Sequence, residues 1–199
     1  SISIGELAKS EAEEISFIYN QPLWLVNLWM NEMGKDKTVD LCAWFNEQPR
    51  LTARINTVKV SIEDCIKELQ NLGWTVEQDK DIPEVVYIDS HQGHLEKAKP
   101  VIEGHITFMD KASMLVAHVV DPQPGDRILD CCAAPGGKSM HMASLMDNTG
   151  AIMSCDIYDH KLDLMNQNAE RLGVSIVSTK LQDGRYLPDN WKEQFDRVL

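Results

Sequence analysis

Apolar positions recur with a helical period through the first 46 residues of this 199-residue chain. A first helix is predicted over residues 3–19, with its acidic residues facing outward. A second is predicted to begin at Pro22 and to end at Gly34, because proline suits a first turn and glycine suits a C-cap. A third is predicted over residues 39–46.

The second predicted helix is apolar on more than one face. We therefore expect it to pack between two other helices or against a further domain. The tryptophans of this region, Trp24, Trp29 and Trp44, are expected in the core, because exposed tryptophans at this density favour aggregation.

The next stretch predicts a small α+β layer. Its strand, helix, strand and strand patterns cover residues 51–60, 62–72, 74–78 and 85–89. Ser61 is predicted to cap the helix, with Asp64 three positions later as in a capping box. Residues 90–104 are polar and are predicted to form a loop.

Helix and strand patterns then alternate to the end of the chain, which predicts a parallel sheet. A helix is predicted over residues 111–120, and later strands over residues 151–155 and 174–181. The fold class is therefore α/β, with N-terminal helices, a small α+β layer and the first part of a Rossmann-like domain. The predicted domains are residues 1–47, 48–105 and 106–199.

A tight turn between strand and helix is the sharpest motif in the chain, and it reads Cys132-Ala133-Ala134-Pro135-Gly136-Gly137-Lys138. Glycines allow a ligand to approach the backbone, and free N–H groups at a helix start favour an electron-rich group. Asp156 ends the next strand, twenty positions after Gly136, where a ribose diol is usually held. Asp183 follows the strand predicted over residues 174–181. Together these features predict a site for a nucleoside cofactor.

Other nucleotide motifs fit this turn poorly. A P-loop requires glycine where Cys132 stands, and the Gly-x-Gly-x-x-Gly dinucleotide fingerprint is absent. Asp130 is expected either to bond N–H groups of the turn or to lie near the strand edge. Cys131 and Cys132, placed on the strand that leads into the turn, and Cys155 are expected to be small core residues, and no metal site is predicted.

The turn resembles the cofactor motif of the NOL/NOP/SUN family of RNA 5-methylcytosine methyltransferases, of the bacterial 16S ribosomal RNA type. The resemblance covers about residues 48–199 and includes the segments 104–113, 155–157, 183–186 and 195–199. It implies S-adenosyl-L-methionine as the cofactor, held by the whole turn with Asp156 and Asp183. Asp183 would meet the adenine amino group, and Lys138 would lie near the reaction centre.

The same resemblance implies methylation of cytosine C5 in RNA by a longer protein. In the family two catalytic cysteines lie in Asp-Ala-Pro-Cys and Thr-Cys motifs, which would follow Leu199. The chain is therefore expected to be a truncated part with the cofactor half of the site, inactive alone and weak in cofactor binding. Alternatives are a methyltransferase of the same fold acting on a protein or small molecule, and a non-catalytic RNA-binding module.

The net charge of −12 argues against non-specific binding of nucleic acid, although a local basic face could still contact RNA. Arg50, Arg54 and Asn56 share one face of the first predicted strand, as either a solvated surface or an RNA contact. Five cysteines suggest free thiols in a reducing cytoplasm. No apolar stretch is long enough for a membrane span, and no membrane partner is predicted.

Overall fold

The computed structural model describes residues 8–199, which divide into two compact units with the boundary between Pro49 and Arg50. The first unit contains three helices, α1 (Glu11–Tyr19), α2 (Leu23–Met33) and α3 (Lys35–Phe45). α1 begins at residue 11 because Ser10 accepts the N–H of Glu13 as its N-cap. The beginning of the predicted first helix, residues 3–7, lies outside the described residues.

Gly34 ends α2 as predicted, and it also begins α3, four residues earlier than expected. The core of this unit is small and consists of Ala12, Ile15, Val26 and Cys42. The expectation of buried tryptophans is wrong for Trp24 and Trp44, which are 68% and 62% exposed. Three short helices lack the volume to enclose them. Trp29 is half-buried and stacks on Phe45 with ring centroids 5.7 Å apart.

The second unit begins with an antiparallel sheet in the order β2-β3-β1-β4. Its strands are β1 (Leu51–Ile55), β2 (Thr75–Gln78), β3 (Val85–Ser90) and β4 (Ile106–Phe108). Helix α4 (Ile62–Asn71) covers it, and its core includes Ile55, Leu69, Trp74, Val86 and Ile106. Ser61 caps α4 as predicted, since its hydroxyl accepts the N–H of Asp64.

β1 is shorter than predicted because Asn56 starts a turn. The carbonyl of Asn56 accepts the N–H groups of Lys59 and Val60, and its side chain accepts the N–H of Val58. The predicted loop at residues 90–104 instead contains a 3₁₀ turn (Leu95–Lys97) and α5 (Lys99–Ile102).

A parallel sheet follows in the order β7-β6-β5-β8, which confirms the predicted alternation of strand and helix. Its strands are β5 (Arg127–Asp130), β6 (Ala151–Asp156), β7 (Val177–Leu181) and β8 (Arg197–Val198). Helices α7 (Gly137–Leu145) and α8 (Asp159–Leu172) connect β5 to β6 and β6 to β7, and α6 (Lys111–Val120) precedes β5. Methionines 140, 142 and 146 fill much of the core with Ile128 and Ile152.

Both sheets belong to the same compact unit. β4 pairs with β1, so the first sheet extends three residues past the predicted boundary at residue 105. The division of this unit into two domains stays a prediction.

Candidate cofactor site

Three strand ends meet at the carboxyl edge of the parallel sheet, where ligands bind in open α/β folds. The N–H of Ala133 donates to the carbonyl of Cys155 at 2.8 Å, which joins the turn after β5 to β6. The N–H of Gln182 donates to the carbonyl of Asp156 at 3.0 Å, which joins β6 to the segment after β7. The structure therefore brings together the glycine turn, Asp156 and Asp183.

The glycine turn has a backbone that only glycine adopts easily. Gly136 has φ +99° and stands immediately before α7. A Cβ at this position would lie 3.2 Å from Cγ of Met165, so the turn packs tightly against α8. The first N–H groups of α7 open onto the turn, and Met109 lies against Gly137.

Asp130 holds this turn in place from below, which confirms one of the two expectations for it. Its carboxylate accepts the N–H of Cys132 at 3.3 Å and the hydroxyl of Ser139 at 2.7 Å. The hydroxyl of Ser154 in turn donates to Ser139 at 2.8 Å. Burial raises the pKa of Asp130, against the hydrogen bond from Ser139 that lowers it.

Asp156 ends β6 with its carboxylate 4% exposed. Its Oδ1 accepts the N–H of Tyr158 at 3.1 Å and lies 3.5 Å from Nζ of Lys161. Among residues 8–199, no donor contacts its Oδ2. This oxygen is available to accept a hydrogen bond from a ligand hydroxyl, and the residues present fit a ribose.

Asp183 is already engaged by Arg185. The Arg185 guanidinium donates to both carboxylate oxygens, at 2.7–3.1 Å, and its backbone N–H donates at 2.9 Å. These bonds lower the pKa of Asp183 to about 2. A ligand amino group would have to share these oxygens with Arg185 or displace it.

The cysteines do not match the expectation of three core residues on or beside a strand. β5 ends at Asp130, so Cys131 and Cys132 lie in the turn, where Cys131 is half-buried and Cys132 is exposed. The reason is that Asp130 bonds the N–H of Cys132 and bends the chain out of the sheet. Only Cys155 is buried as expected. Lys138 is half-buried and close enough to Asp110 and Asp130 for its charge to favour their ionised forms.

The residues predicted to form an RNA-facing surface do not share one. Arg54 and Asn56 are completely buried, because α7 and α8 cover that side of β1, and they hydrogen-bond to Ser144, Gly104 and Leu172. Their assignment to RNA is corrected to an internal role. Arg50 is exposed, but its guanidinium pairs with Glu77 at 2.7 Å and Asp89 at 2.8 Å.

Sequence reasoning missed a second buried polar group on the other side of α7. Glu84, His118 and His141 place their ligand atoms within 4.8 Å of one another, a spacing that could hold a metal ion. Glu68, Glu103 and His105 form a similar but more exposed group. The signal available in the sequence was the polar series Ser139, His141 and Ser144 within an otherwise apolar helix.

Two family profiles match most of the chain. Residues 21–93 match the profile described as "Methyltr_RsmF/B-like, ferredoxin-like domain", and residues 117–199 match "16S rRNA methyltransferase RsmB/F". The crystal structure of PH0851 superposes with a TM-score of 0.83 at 31% identity, over 91% of this chain and 41% of that one.

Two curated relatives agree with the profiles. The Bacillus subtilis (strain 168) protein named "Probable ribosomal RNA small subunit methyltransferase B" is 33% identical over 181 residues, 90% of this chain and 40% of that protein. The Homo sapiens "28S rRNA (cytosine(4447)-C(5))-methyltransferase" is 37% identical over 158 residues, 77% of this chain and 19% of that protein. The chain thus spans less than half of each.

The parallel sheet with its glycine turn places the second half of the chain in the Rossmann-like class of S-adenosylmethionine-dependent methyltransferases. The chain belongs to the NOL/NOP/SUN family within that class. No helix within residues 8–199 combines the length and apolar character that a bilayer crossing requires.

Proposed function

We propose that this protein methylates carbon 5 of cytosine in RNA, with ribosomal RNA as substrate and S-adenosyl-L-methionine as cofactor. The supporting observation is the convergence of the glycine turn, the buried carboxylate of Asp156 and the Asp183 segment at one sheet edge. Both curated relatives carry names of ribosomal RNA methyltransferases, and the human name specifies cytosine C5.

The residues proposed to hold the cofactor are Cys132, Ala133, Ala134, Pro135, Gly136, Gly137, Lys138, Asp156 and Asp183. The free Oδ2 of Asp156 would accept a ribose hydroxyl, and the first N–H groups of α7, which have no side-chain cap, would bind the carboxylate of the methionine part. Asp183 would accept a hydrogen bond from the adenine amino group in competition with Arg185. Bound S-adenosylmethionine would supply a methyl group on a positively charged sulfur.

Carbon 5 of cytosine is a weak nucleophile, so the reaction needs a thiolate that adds at carbon 6. The cysteines at positions 42, 65 and 155 are buried, and burial raises the pKa of each thiol. The family resemblance places the reacting cysteines in motifs beyond residue 199. The turn and the two acids then orient the cofactor toward a cytosine that has been unstacked from the RNA.

The proposal also assigns roles to parts of the chain. Residues 48–105 would form a layer facing the RNA, residues 106–199 the cofactor half of the methyltransferase domain, and residues 1–47 a helical segment of the N-terminal region. The ferredoxin-like profile over residues 21–93 overlaps residues 48–105 and supports a separate module there. Free cysteines support a reducing, cytoplasmic setting.

Cofactor titration of the full-length protein tests the central assignment. Asp156→Ala is expected to weaken S-adenosylmethionine binding about 10- to 150-fold, since hydrogen bonds to a charged group contribute about 1.5–3 kcal/mol. Asp163→Ala, which removes an exposed acid on α8, is the matched control and should bind as the wild type does. Equal affinity in the two variants would remove Asp156 from the site. Labelled methyl groups recovered from ribosomal RNA in any nucleoside but 5-methylcytidine would overturn the proposed reaction.

A further inference from the structure

α7, the helix that follows the cofactor turn, carries three buried polar side chains. Ser139 and His141 are fully buried and Ser144 is 6% exposed. Ser139 contacts Asp130 beneath the turn, whereas His141 contacts Glu84, which immediately precedes β3, and Ser144 contacts Arg54 of β1. Both sheets therefore hold this helix through polar contacts.

Glu84 is the centre of the contact with His141. Its Oε1 lies 2.8 Å from Nε2 of His141 on α7 and 2.6 Å from Nε2 of His118 on α6. Its backbone carbonyl accepts the N–H of Ile55 at 2.7 Å, which fixes Glu84 to β1. One carboxylate thus joins the first sheet to two helices of the methyltransferase fold.

Arg54 forms the second connection, from β1 itself. Its Nη1 donates to Oγ of Ser144 at 2.9 Å, while its Nε and Nη2 have no partner within residues 8–199. Ser144 also donates to Oδ1 of Asn56 at 3.3 Å. Burial lowers the pKa of the Arg54 guanidinium, and the positive charge of Arg171 adds to this, whereas the negative charge of Glu84 favours the charged form of Arg54.

A metal ion is the competing occupant of this cluster, since two imidazoles and a carboxylate are common zinc ligands. Two observations favour hydrogen bonding instead. Both imidazole Nε2 atoms already lie at hydrogen-bond distance from the same carboxylate oxygen. The buried positive charge of Arg54 would also repel a divalent cation beside Glu84.

We propose that Glu84 and Arg54 are positioning residues that set the orientation of α7, and with it the cofactor turn, from the first sheet. This inference rests on the proposed function only in taking the turn as the cofactor site. A change in the first sheet then alters cofactor affinity without touching the cofactor. The contacts of Glu84 and Arg54 and the binding of cofactor at the turn are then energetically coupled.

Amide hydrogen exchange and cofactor titration of the full-length protein test this coupling with Glu84→Gln. The matched control is Glu68→Gln on α4, which removes a carboxylate that lies 2.7 Å from His105, the residue before β4, and that makes no hydrogen bond with α7. Glu84→Gln is expected to speed exchange across residues 132–139 and to weaken S-adenosylmethionine binding by about fivefold or more. Glu68→Gln should leave both as in the wild type.

His118→Gln provides a second variant in case Glu84→Gln fails to fold, because His118 is partly exposed and supplies one of the two N–H donors. It should shift both measurements in the same direction by a smaller factor. Unchanged exchange at the turn in both variants would overturn the inference, as would equal effects of Glu84→Gln and Glu68→Gln. Stoichiometric zinc in the purified protein that is lost in Glu84→Gln would replace it with a metal site.

The exchange measurement needs no cofactor, so it separates this inference from the proposed function. A wild-type protein that binds no S-adenosylmethionine would refute the cofactor assignment. The exchange rates at the turn would still decide whether the first sheet positions α7.

Discussion

Single residues determine how the two sheets of the second unit pack together, and Gly104 lies where the backbone segments approach most closely. It has φ +72°, and a Cβ there would lie 2.2 Å from the backbone carbonyl oxygen of Arg171 at the end of α8. Neither the turn nor the helix end can move without breaking other contacts. Asn56 bonds both of them, through the carbonyls of Gly104 and Leu172.

Gly104→Ala is therefore expected to lower the free energy of unfolding by about 3 kcal/mol or more, from the left-handed backbone and the clash together. Gly93→Ala is the matched control, because Gly93 has φ +74° with nothing within 4 Å of the added Cβ. Gly93→Ala should lower the free energy of unfolding only by the cost of the left-handed backbone, about 1–2 kcal/mol. Chemical denaturation of both variants measures the difference, and equal losses would show that the contact with Arg171 is unimportant.

The buried charges around Glu84 predict a pH dependence of stability. Burial opposes ionisation of Glu84, but hydrogen bonds from His141 and His118 outweigh it and lower its pKa to about 2, from 4.5. Burial lowers the pKa of His141 below 6.5, against the effect of Glu84. On acidification, both groups take up protons more readily in the unfolded chain than in the folded one. Their contribution is complete above about pH 6.5 and declines as pH falls, first through His141 and then, below 4.5, through Glu84.

We expect the free energy of unfolding to fall between pH 7 and pH 5, and His141→Asn to flatten that slope whatever its effect at pH 7. His94→Asn, which changes an exposed histidine, should leave the slope as it is. Urea denaturation at several pH values provides the comparison. A steeper slope in His141→Asn would contradict the assigned direction.

Residue-level predictions from sequence succeeded where local chemistry decides the outcome. Asp156 at the strand end and the glycine turn follow from spacing along the chain, and the structure brings them together. The predictions of a solvated or RNA-facing position for Arg54 and Asn56 failed, because these residue types are usually exposed. Their burial depends on α7 and α8, whose placement on β1 is not encoded in the local pattern.

At the scale of elements, capping and alternation were sufficient for most helices and strands. The segment at residues 90–108 was not predictable in this way. β4 has three residues, too few to show a period, and it exists because β1 offers a free edge to pair with. The short α5 is likewise stabilised by its neighbours, since a single turn is unstable alone.

The cap of α4 provides a test at this scale. Ser61→Ala should lower the free energy of unfolding by about 1 kcal/mol, because the hydroxyl bonds both the N–H and the carboxylate of Asp64. Ser175→Ala removes an exposed serine hydroxyl without a hydrogen bond in the described part of the chain, and it should be neutral. Thermal unfolding measures the melting temperatures of the two variants. Equal melting temperatures would show that the Ser61 cap does not stabilise the protein.

At the scale of the whole molecule, residues 1–199 carry the proposed cofactor site, and the thiols that the proposed reaction needs are not identified among their five cysteines. Burial, with a smaller effect of Glu68, raises the pKa of Cys65 to about 12, and burial raises that of Cys155 to about 11. Such thiols are poor nucleophiles at neutral pH. Cys132 is exposed, but it belongs to the proposed cofactor turn itself.

Residues 1–199 expressed alone are therefore expected to transfer no methyl group to RNA at any cofactor concentration. Incubation with labelled S-adenosylmethionine and ribosomal RNA, followed by nucleoside analysis, measures this. Label in 5-methylcytidine would place the nucleophile within these residues. Loss of this label in Cys132→Ala but not in Cys42→Ala would then identify the exposed thiol of Cys132 as the nucleophile.

The bonds of Asn56 also constrain the order in which the protein can be completed during synthesis. Its side-chain amide donates to carbonyls 48 and 116 residues later in the chain. A ribosome adding 5–20 residues per second reaches the second of these roughly 6–23 s after Asn56. Until then the first sheet exists without the groups that satisfy Asn56 and Arg54, which must remain hydrated. The nascent sheet can therefore close its α4 side early, but the side that meets α7 and α8 stays open to water and to chaperones until translation has passed α8.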